Sequence, residues 1–272
     1  MDRAGLGPDA PLGGAPGGRR RGAGPHRAGP PRGGRPVSPA ARESTDARRA
    51  RAARIVRALE RAYPEARIAL RFTTPLELLV ATILSAQCTD ERVNTVTEGL
   101  FRKYRTARDY AAADPAVFER EIRSTGFFRA KTRSVLAMAR ALVERHGGEV
   151  PRAREELMAL SGVGLKTANV VLGNAFGAQA IAVDTHVFRV AHRLGLAKSD
   201  DPDEIHDQLS LVLSRTKWTR ITHLLQAHGR RTCLARTPAC PTCPLQALCP
   251  WPGKTRAPQA PPQPGFRTSS HR

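Results

Sequence analysis

The chain has 272 residues, of which 44 are Lys or Arg and 24 are Asp or Glu, so its formal net charge at pH 7 is +20. No apolar run approaches the roughly 20 residues of a transmembrane helix, and the N-terminus lacks the apolar stretch of a secretory signal. Five cysteines, an odd number, argue against a secreted disulfide scaffold. We therefore expect no membrane contact, and the charge predicts a polyanionic partner, most commonly a nucleic acid.

Both ends of the chain have the composition of disordered segments. Residues 1–36 contain 11 Gly and 7 Pro, so they cannot bury enough apolar surface to offset the entropy of ordering. We predict a disordered basic tail over residues 1–46 and a second disordered tail over residues 253–272. Each tail carries a net charge of +4, which leaves +12 for residues 47–252. The part of the chain that is expected to fold is therefore basic itself.

Between the tails, apolar residues recur at helical spacing, and no stretch shows the alternation of several strands. The predicted helices, in chain order, cover residues 53–63, a segment from Pro75, residues 115–122, 131–146 and 154–160, a segment through Thr167 to Leu172, a segment after Asp184, and residues 202–213. Two of them begin with a capping side chain followed by Pro, and a third begins at Pro202 after Asp201, a pattern that is typical of a helix start. The fold class is therefore predicted to be all-α.

Four cysteines follow the last predicted helix within 17 residues: Cys233, Cys240, Cys243 and Cys249. Four thiolates this close together can surround either a zinc ion or an iron–sulfur cubane. Only one Cys-x2-Cys pair is present and the outer spacings are uneven, which favours the cubane over zinc. The fifth cysteine, Cys88, lies in another part of the chain and is interpreted as a core or pocket-wall residue.

A Gly-rich turn joins two helical segments between Leu160 and Leu172. The Gly162-Val163-Gly164 turn presents successive backbone N–H groups at a new helix N-terminus, an arrangement that binds phosphate. Lys166, in the first turn of that helix, can either bind phosphate or act as a nucleophile, and its position alone favours phosphate binding.

Asp184 lies in the segment Val183-Asp-Thr-His186, directly before a predicted helix. Its spacing alone favours an ordinary N-cap. The alternative is a carboxylate that lies near Lys166, where it would accept a proton or stabilise a sugar cation.

Together these motifs resemble the endonuclease III family, bifunctional DNA glycosylases and abasic-site lyases of the helix-hairpin-helix superfamily. The segment Ser85-Ala-Gln-Cys-Thr-Asp90 is similar to a further motif of that family, and the resemblance extends over residues 47–252. It implies a base-excision-repair N-glycosylase that removes oxidised pyrimidines. It also implies AP lyase activity, strand cleavage by β-elimination through a Lys Schiff base.

The resemblance also implies an architecture of two helical domains that flank a DNA-binding cleft. A helical barrel with the helix-hairpin-helix is expected over residues 68–178. Residues 47–67 together with 179–252 would form the second domain, whose four cysteines would hold a [4Fe-4S] cluster. The implied partner is double-stranded DNA with damaged bases or abasic sites. We expect a monomer in the bacterial cytoplasm, associated with the nucleoid.

Individual roles follow from the same resemblance. Lys166 would be the nucleophile and Asp184 the carboxylate that assists it, while Gln87 would fill the gap left by the extruded nucleotide. Phe127 lies where the family places an apolar wedge, although a core position also fits this residue. Further DNA contacts are expected at Gly162, Val163, Gly164, Thr167 and Arg236, and pocket positions at Ser85, Asp90 and His186.

The hairpin departs from the family pattern at Ser161 and Leu165, where Pro and Arg are usual, which makes lesion preference harder to infer than reaction type. One rival interpretation is an adenine-mismatch glycosylase of the same superfamily, which lacks a Lys at the position of Lys166. Another is a non-catalytic DNA-binding iron–sulfur protein, in which Lys166 only contacts phosphate. A third is a redox-sensing iron–sulfur regulator.

Overall fold

The computed structural model describes residues 43–255, which lie in one compact unit. The tails predicted over residues 1–46 and 253–272 fall mostly outside the described residues. Every regular element within residues 43–255 is helical, which confirms the all-α prediction. None of these helices is long and apolar enough to cross a membrane. The helices are α1 (Thr45–Ala62), α2 (Pro75–Leu84), α3 (Asp90–Lys103), α4 (Ala107–Ala111), α5 (Pro115–Ile122), α6 (Phe128–Arg145), α7 (Arg154–Met158), α8 (Leu165–Ala175), α9 (Thr185–Arg193), α10 (Pro202–Val212) and α11 (Trp218–Arg231).

Several helices begin where the sequence predicts, because a side chain satisfies their first N–H groups. The Thr74 hydroxyl accepts from the backbone N–H of Glu77, whose carboxylate accepts from Thr74 in return, and Pro75 follows. Asp114 and Asp201 cap α5 and α10 in the same manner, each with Pro at the next position.

The sequence does not predict α3, α4 or α11, and it places the start of α1 too late. The first helix begins at Thr45, inside the expected tail, because the Ser44 side chain accepts from the Ala47 N–H. Glu43 also belongs to the folded part, since both of its carboxylate oxygens accept from Arg51, at 2.8 and 2.7 Å. Arg51 Nη1 donates in addition to the carbonyl of Leu194, at 2.6 Å.

Two hydrophobic cores form within the described residues. The first is built by α2–α8 and includes buried residues from Leu70 to Ala182. The second combines α1 with α9, α10 and α11, and also takes in Leu245 from the cysteine-containing loop. Chain segments from both ends of the described sequence therefore share the second core.

An extended segment passes between the two cores. Ala180 and Ala182 belong to the first core, while Ile181 and Val183 belong to the second. Successive side chains of an extended backbone point in opposite directions, so one short segment serves both cores. The segment ends at Asp184, the residue that caps α9.

The N-terminal contacts predict the effect of truncation. Removing residues 1–46 should lower the free energy of unfolding by about 2 kcal/mol relative to removing residues 1–42, because only the first loses the Ser44 cap and the Glu43–Arg51 pair. The hydrogen bond from Arg51 lowers the pKa of Glu43 from its ordinary value. Its stabilisation is therefore present above the ordinary carboxyl pKa and is lost as the pH falls through the lowered value.

Urea unfolding of the two truncated proteins at neutral and acidic pH measures this effect. The difference between them should shrink in acid to the share contributed by Ser44. Equal stabilities at neutral pH would show that residues 43–46 add nothing to the fold.

Candidate active site and cysteine loop

The Gly-rich turn between α7 and α8 packs on the first core. Leu160 and Val163 are buried, so Val163 offers only its backbone to a ligand. Gly162 has φ +77°, and a Cβ atom there would lie 2.7 Å from the Cβ of Ser134. This backbone therefore requires glycine, both for its left-handed conformation and for its close approach to α6.

Gly164 is the N-cap of α8, and no side chain caps this helix. A Cβ atom at Gly164 would have no neighbour within 4 Å. No side chain of the described residues caps the first N–H groups of α8, so a phosphate group can accept hydrogen bonds from them and interact with the positive end of the helix.

A pocket that is partly open to solvent lies where the two cores meet. Four of the residues singled out from sequence line it together: Ser85, Asp90, Lys166 and Asp184. Lys166 projects from the first turn of α8 and Asp184 precedes α9, so the pocket lies between two helix starts. The other described lining residues come mainly from α8, α11 and the extended segment: Ile68, Ala69, Leu70, Thr82, Asn169, Val170, Asn174, Ala180, Ala182, Thr219, Thr222, His223, Gln226 and Arg230.

Asp184 is a helix cap, as its spacing predicts, and it retains a free oxygen. Its Oδ1 accepts from the N–H groups of His186 and Val187, at 2.9 and 2.8 Å. Within the described part of the chain, Oδ2 accepts no hydrogen bond. One oxygen thus fixes the side chain while the other is available to a ligand in the pocket.

Lys166 is exposed to the pocket, and its amine is not engaged by the protein. The lysines of residues 43–255 that donate side-chain hydrogen bonds are Lys103, Lys131, Lys217 and Lys254. The Nζ of Lys166 is therefore free to contact a ligand at the N-terminus of α8.

The structure adds pocket residues on α11 that sequence reasoning missed. The His223 Nε2 lies 2.8 Å from the Oδ1 of Asn174, and burial lowers the pKa of this histidine. Arg230 donates to the Oδ2 of Asp90 at 2.8 Å, which links α11 to the start of α3. The spacing of Ile221, Leu224, Leu225 and His228, all buried on one face, is the signal that would have revealed α11.

The remaining sequence-predicted residues lie outside this pocket. His186 does not line it, and its Nδ1 lies 3.2 Å from the Nη2 of Arg189. Thr167 is half-buried on α8, and Arg236 is exposed in the cysteine loop.

Gln87 and Phe127 share an unusual backbone conformation. They are the two non-glycine residues of the described chain with positive φ, at +52° and +47°. Both side chains are exposed, and Phe127 exposes 65% of its surface, so a core role for it is excluded. A left-handed backbone costs a residue with a Cβ atom about 1–3 kcal/mol, and such strain is typical of functional loops.

The four C-terminal cysteines line a second pocket. None forms a disulfide. Among the described residues, no group of three or more His, Cys, Asp or Glu side chains is arranged around a single metal ion. The four thiols line one common space as free side chains, so all four are available to a shared group.

Hydrogen-bond donors approach these sulfur atoms. Arg193 Nη1 lies 3.4 Å from the Sγ of Cys233, and the Leu245 N–H donates to the Sγ of Cys243, also at 3.4 Å. Burial raises the pKa of the Cys243 thiol, and the Leu245 N–H acts in the opposite direction by favouring the thiolate, the form in which cysteine binds metals. The donor set and the shape of the loop thus both fit an iron–sulfur cluster.

Comparison with known proteins gives a consistent family. Residues 80–215 match the family described as HhH-GPD superfamily base excision DNA repair protein. The chain is 48% identical to endonuclease III of Synechocystis sp. over 74% of this chain and 92% of that protein, and 45% identical to endonuclease III of Bacillus subtilis over 69% and 86%. A trapped endonuclease III–DNA covalent intermediate is similar in structure, with a TM-score of 0.71 and 44% identity over 74% of this chain and 95% of that chain.

The two glycines of the turn predict opposite consequences of the same substitution. Gly162→Ala should lower the free energy of unfolding by about 1–3 kcal/mol, because it strains the backbone and meets Ser134. Gly164→Ala should change stability by less than about 1 kcal/mol, yet its methyl group would occupy the space into which a phosphate must come.

Thermal unfolding and fluorescence anisotropy with duplex DNA separate the two effects. Gly164→Ala should weaken DNA binding at least tenfold while its melting temperature stays close to that of the parent. Full affinity in a folded Gly164→Ala variant would show that the start of α8 does not contact the DNA backbone.

Proposed function

Since the chain belongs to the HhH-GPD superfamily, and within it to the endonuclease III family, we propose that its pocket excises oxidised pyrimidines and cleaves the abasic strand through Lys166. Family membership makes the protein a bifunctional DNA glycosylase and AP lyase of base excision repair. The observation that carries the assignment of residues is that a free lysine amine and a half-free carboxylate line one pocket beside an open helix N-terminus.

DNA would lie across the turn before α8. The uncapped N–H groups after Gly164 would donate hydrogen bonds to a phosphate of the damaged strand, and the basic surface would hold the flanking backbone. The damaged nucleotide would rotate out of the duplex into the pocket, at a cost of a few kcal/mol. Exposed Gln87 and Phe127 would enter the base stack in its place and recover part of that cost.

Within the pocket, the Nζ of Lys166 would attack C1′ of the extruded nucleotide. The bond between C1′ and the base breaks, and the base leaves with the electron pair and takes up a proton. The free Oδ2 of Asp184 would accept a proton from the attacking amine and stabilise positive charge on the sugar. Opening of the sugar gives a Schiff base between Lys166 and C1′.

The Schiff base makes the C2′ protons acidic, because the iminium accepts the electron pair left behind. Loss of a C2′ proton and departure of the 3′ phosphate complete β-elimination, and water releases Lys166 from the product. A related endonuclease III trapped as a covalent intermediate with DNA supports this route.

We propose that Cys233, Cys240, Cys243 and Cys249 hold a [4Fe-4S] cluster. Bound there, the cluster would act as a structural cross-link that orders the loop and the exposed Arg236 beside the DNA. The common space and the donors to the sulfur atoms support this assignment. We further propose that the enzyme acts as a monomer on damaged or abasic duplex DNA in the bacterial nucleoid.

Borohydride trapping tests the nucleophile directly. The parent should form a covalent complex with a duplex that contains thymine glycol and with an abasic duplex, because borohydride reduces the Schiff base. Lys166→Gln should abolish both complexes and retain DNA binding. Lys198→Gln is the matched control, since this exposed lysine lies outside the pocket, and it should trap like the parent.

A covalent complex formed by Lys166→Gln would assign the nucleophile to another residue. Asp184→Asn completes the test, since Asn caps a helix as well as Asp does but cannot take the proton. It should keep the melting temperature and slow base release about 10²–10⁴-fold.

Metal analysis of the purified protein tests the cofactor. The parent should contain about four iron atoms per chain with inorganic sulfide, as a cubane requires. Cys240→Ser should lower the iron content and weaken DNA binding, whereas Cys88→Ser, outside the loop, should change neither. One zinc ion per chain and no iron would contradict the assignment.

A further inference from the structure

Lys131 is the one Lys, Arg, Asp or Glu among the described residues that is buried, with 5% of its surface exposed. It lies in the first turn of α6, and none of the ion pairs among the described residues involves it. Burial lowers the pKa of this amine, and the Cys88 thiol nearby acts in the opposite direction. A buried ammonium group without a carboxylate is costly, so its hydrogen-bond partners indicate why it is there.

Two backbone carbonyls from distant parts of the chain receive its hydrogen bonds. The Nζ of Lys131 donates to the oxygen of Leu84 at 2.8 Å and to the oxygen of Thr125 at 2.7 Å. Leu84 is the last residue of α2, where a cation meets the negative end of the helix dipole. Thr125 ends the 3₁₀ turn that precedes α6.

These carbonyls lie shortly before the two non-glycine residues of the described chain that have positive φ. Gln87 follows Leu84 by three positions, and Phe127 follows Thr125 by two. One ammonium group thereby links the starts of two exposed loops. Each loop contains one residue with a strained, left-handed backbone. A strained conformation persists only where the surroundings fix it, and Lys131 is a group common to both loops.

We propose that Lys131 is a positioning residue that holds Gln87 and Phe127 at a fixed separation, so that they enter the DNA duplex as one unit when a nucleotide is extruded. The proposal rests on the proposed function, in which these two side chains replace the extruded nucleotide. Lys131 itself touches neither DNA nor the reacting atoms. It acts through the two loops, and its loss should impair the opening of a duplex more than the chemistry that follows.

Lys131→Met removes the link and retains a side chain of similar length. The neighbouring Thr132→Val is the matched control, because Thr132 is equally buried and its hydroxyl has no hydrogen-bond partner in the described residues. Lys131→Gln is a second disrupting variant in case Met prevents folding, since its shorter amide can reach at most one of the two carbonyls. Circular dichroism and melting temperature establish that each variant is folded.

The first measurement compares two substrates under single-turnover conditions. On a thymine glycol duplex, Lys131→Met and Lys131→Gln should react at least tenfold more slowly than the parent. On a single-stranded oligonucleotide with an abasic site, which has no pair to open, their cleavage rates should stay within about twofold of the parent. Equal losses on both substrates would identify a general structural role and overturn the proposal, as would parental rates on the duplex.

The second measurement detects base unstacking without any catalysis. In the Lys166→Gln background, a 2-aminopurine beside the lesion should brighten when the parent loops enter the duplex, and Lys131→Met should reduce this response at least threefold at equal bound fraction. An unchanged response would overturn the proposal. If the parent brightens the probe but neither cleaves nor traps DNA, the proposed function fails while the role of Lys131 stands.

A double variant tests whether Lys131 acts through Phe127. If it does, Lys131→Met added to Phe127→Ala should slow the duplex reaction little beyond the slower single variant. Multiplied losses would show that the two residues act independently, which would contradict the proposed link.

Discussion

The site depends on one short extended segment that two hydrophobic cores share. Ala180 and Ala182 point into one core and Ile181 and Val183 into the other, so the backbone between them cannot rotate without exposing apolar surface on one side. Within residues 43–255 no strand pairs with this segment, and side chains supply hydrogen bonds to it instead. Asn169 donates to the carbonyl of Ile181 at 2.8 Å. Asp184 follows at once, and its place between the two cores is therefore fixed by packing.

Several residues of the pocket lie at helix N-termini, which are the places where an all-helical chain offers unpaired N–H groups. Lys166 belongs to the first turn of α8, Asp184 caps α9, and Asp90 is the first residue of α3. Most of the longer helices use a side-chain cap, whereas the N-cap residues of α6, α8 and α11 (Phe127, Gly164 and Lys217) supply none. Without such a cap, the first N–H groups of these helices remain available to a ligand. The missing capping hydrogen bonds cost stability, and the rest of the fold offsets that cost.

The sequence predicts those features that depend on local chemistry. Capping residues followed by Pro locate the starts of α2, α5 and α10, and Asp184 caps α9 as its spacing indicates. Four motif residues, far apart in sequence, do line one pocket. The family resemblance, which the comparisons confirm, accounts for much of that success, since spacing alone favours a phosphate-binding lysine.

What the sequence does not predict depends on tertiary contacts. The left-handed conformation of Gln87 and Phe127 is unexpected because neither is glycine. The burial of Lys131 is equally hidden, since a lysine at the start of a helix is typically solvated. His223 and Arg230 reach the pocket only because α11 packs beside α9, an arrangement that no local pattern specifies.

The second core also constrains the order in which the chain can fold. Its residues come from α1 and from positions beyond 180, so more than a hundred residues separate its two parts. Closing so long a loop is slow and entropically costly, whereas the first core is continuous in sequence. During synthesis α1 leaves the ribosome before its partners in the second core. Its apolar face therefore stays unpaired until α11 and Leu245 have been synthesised. The face of α1 opposite its apolar residues is rich in arginine. Like charges on neighbouring nascent chains repel one another, which keeps the unpaired helix soluble.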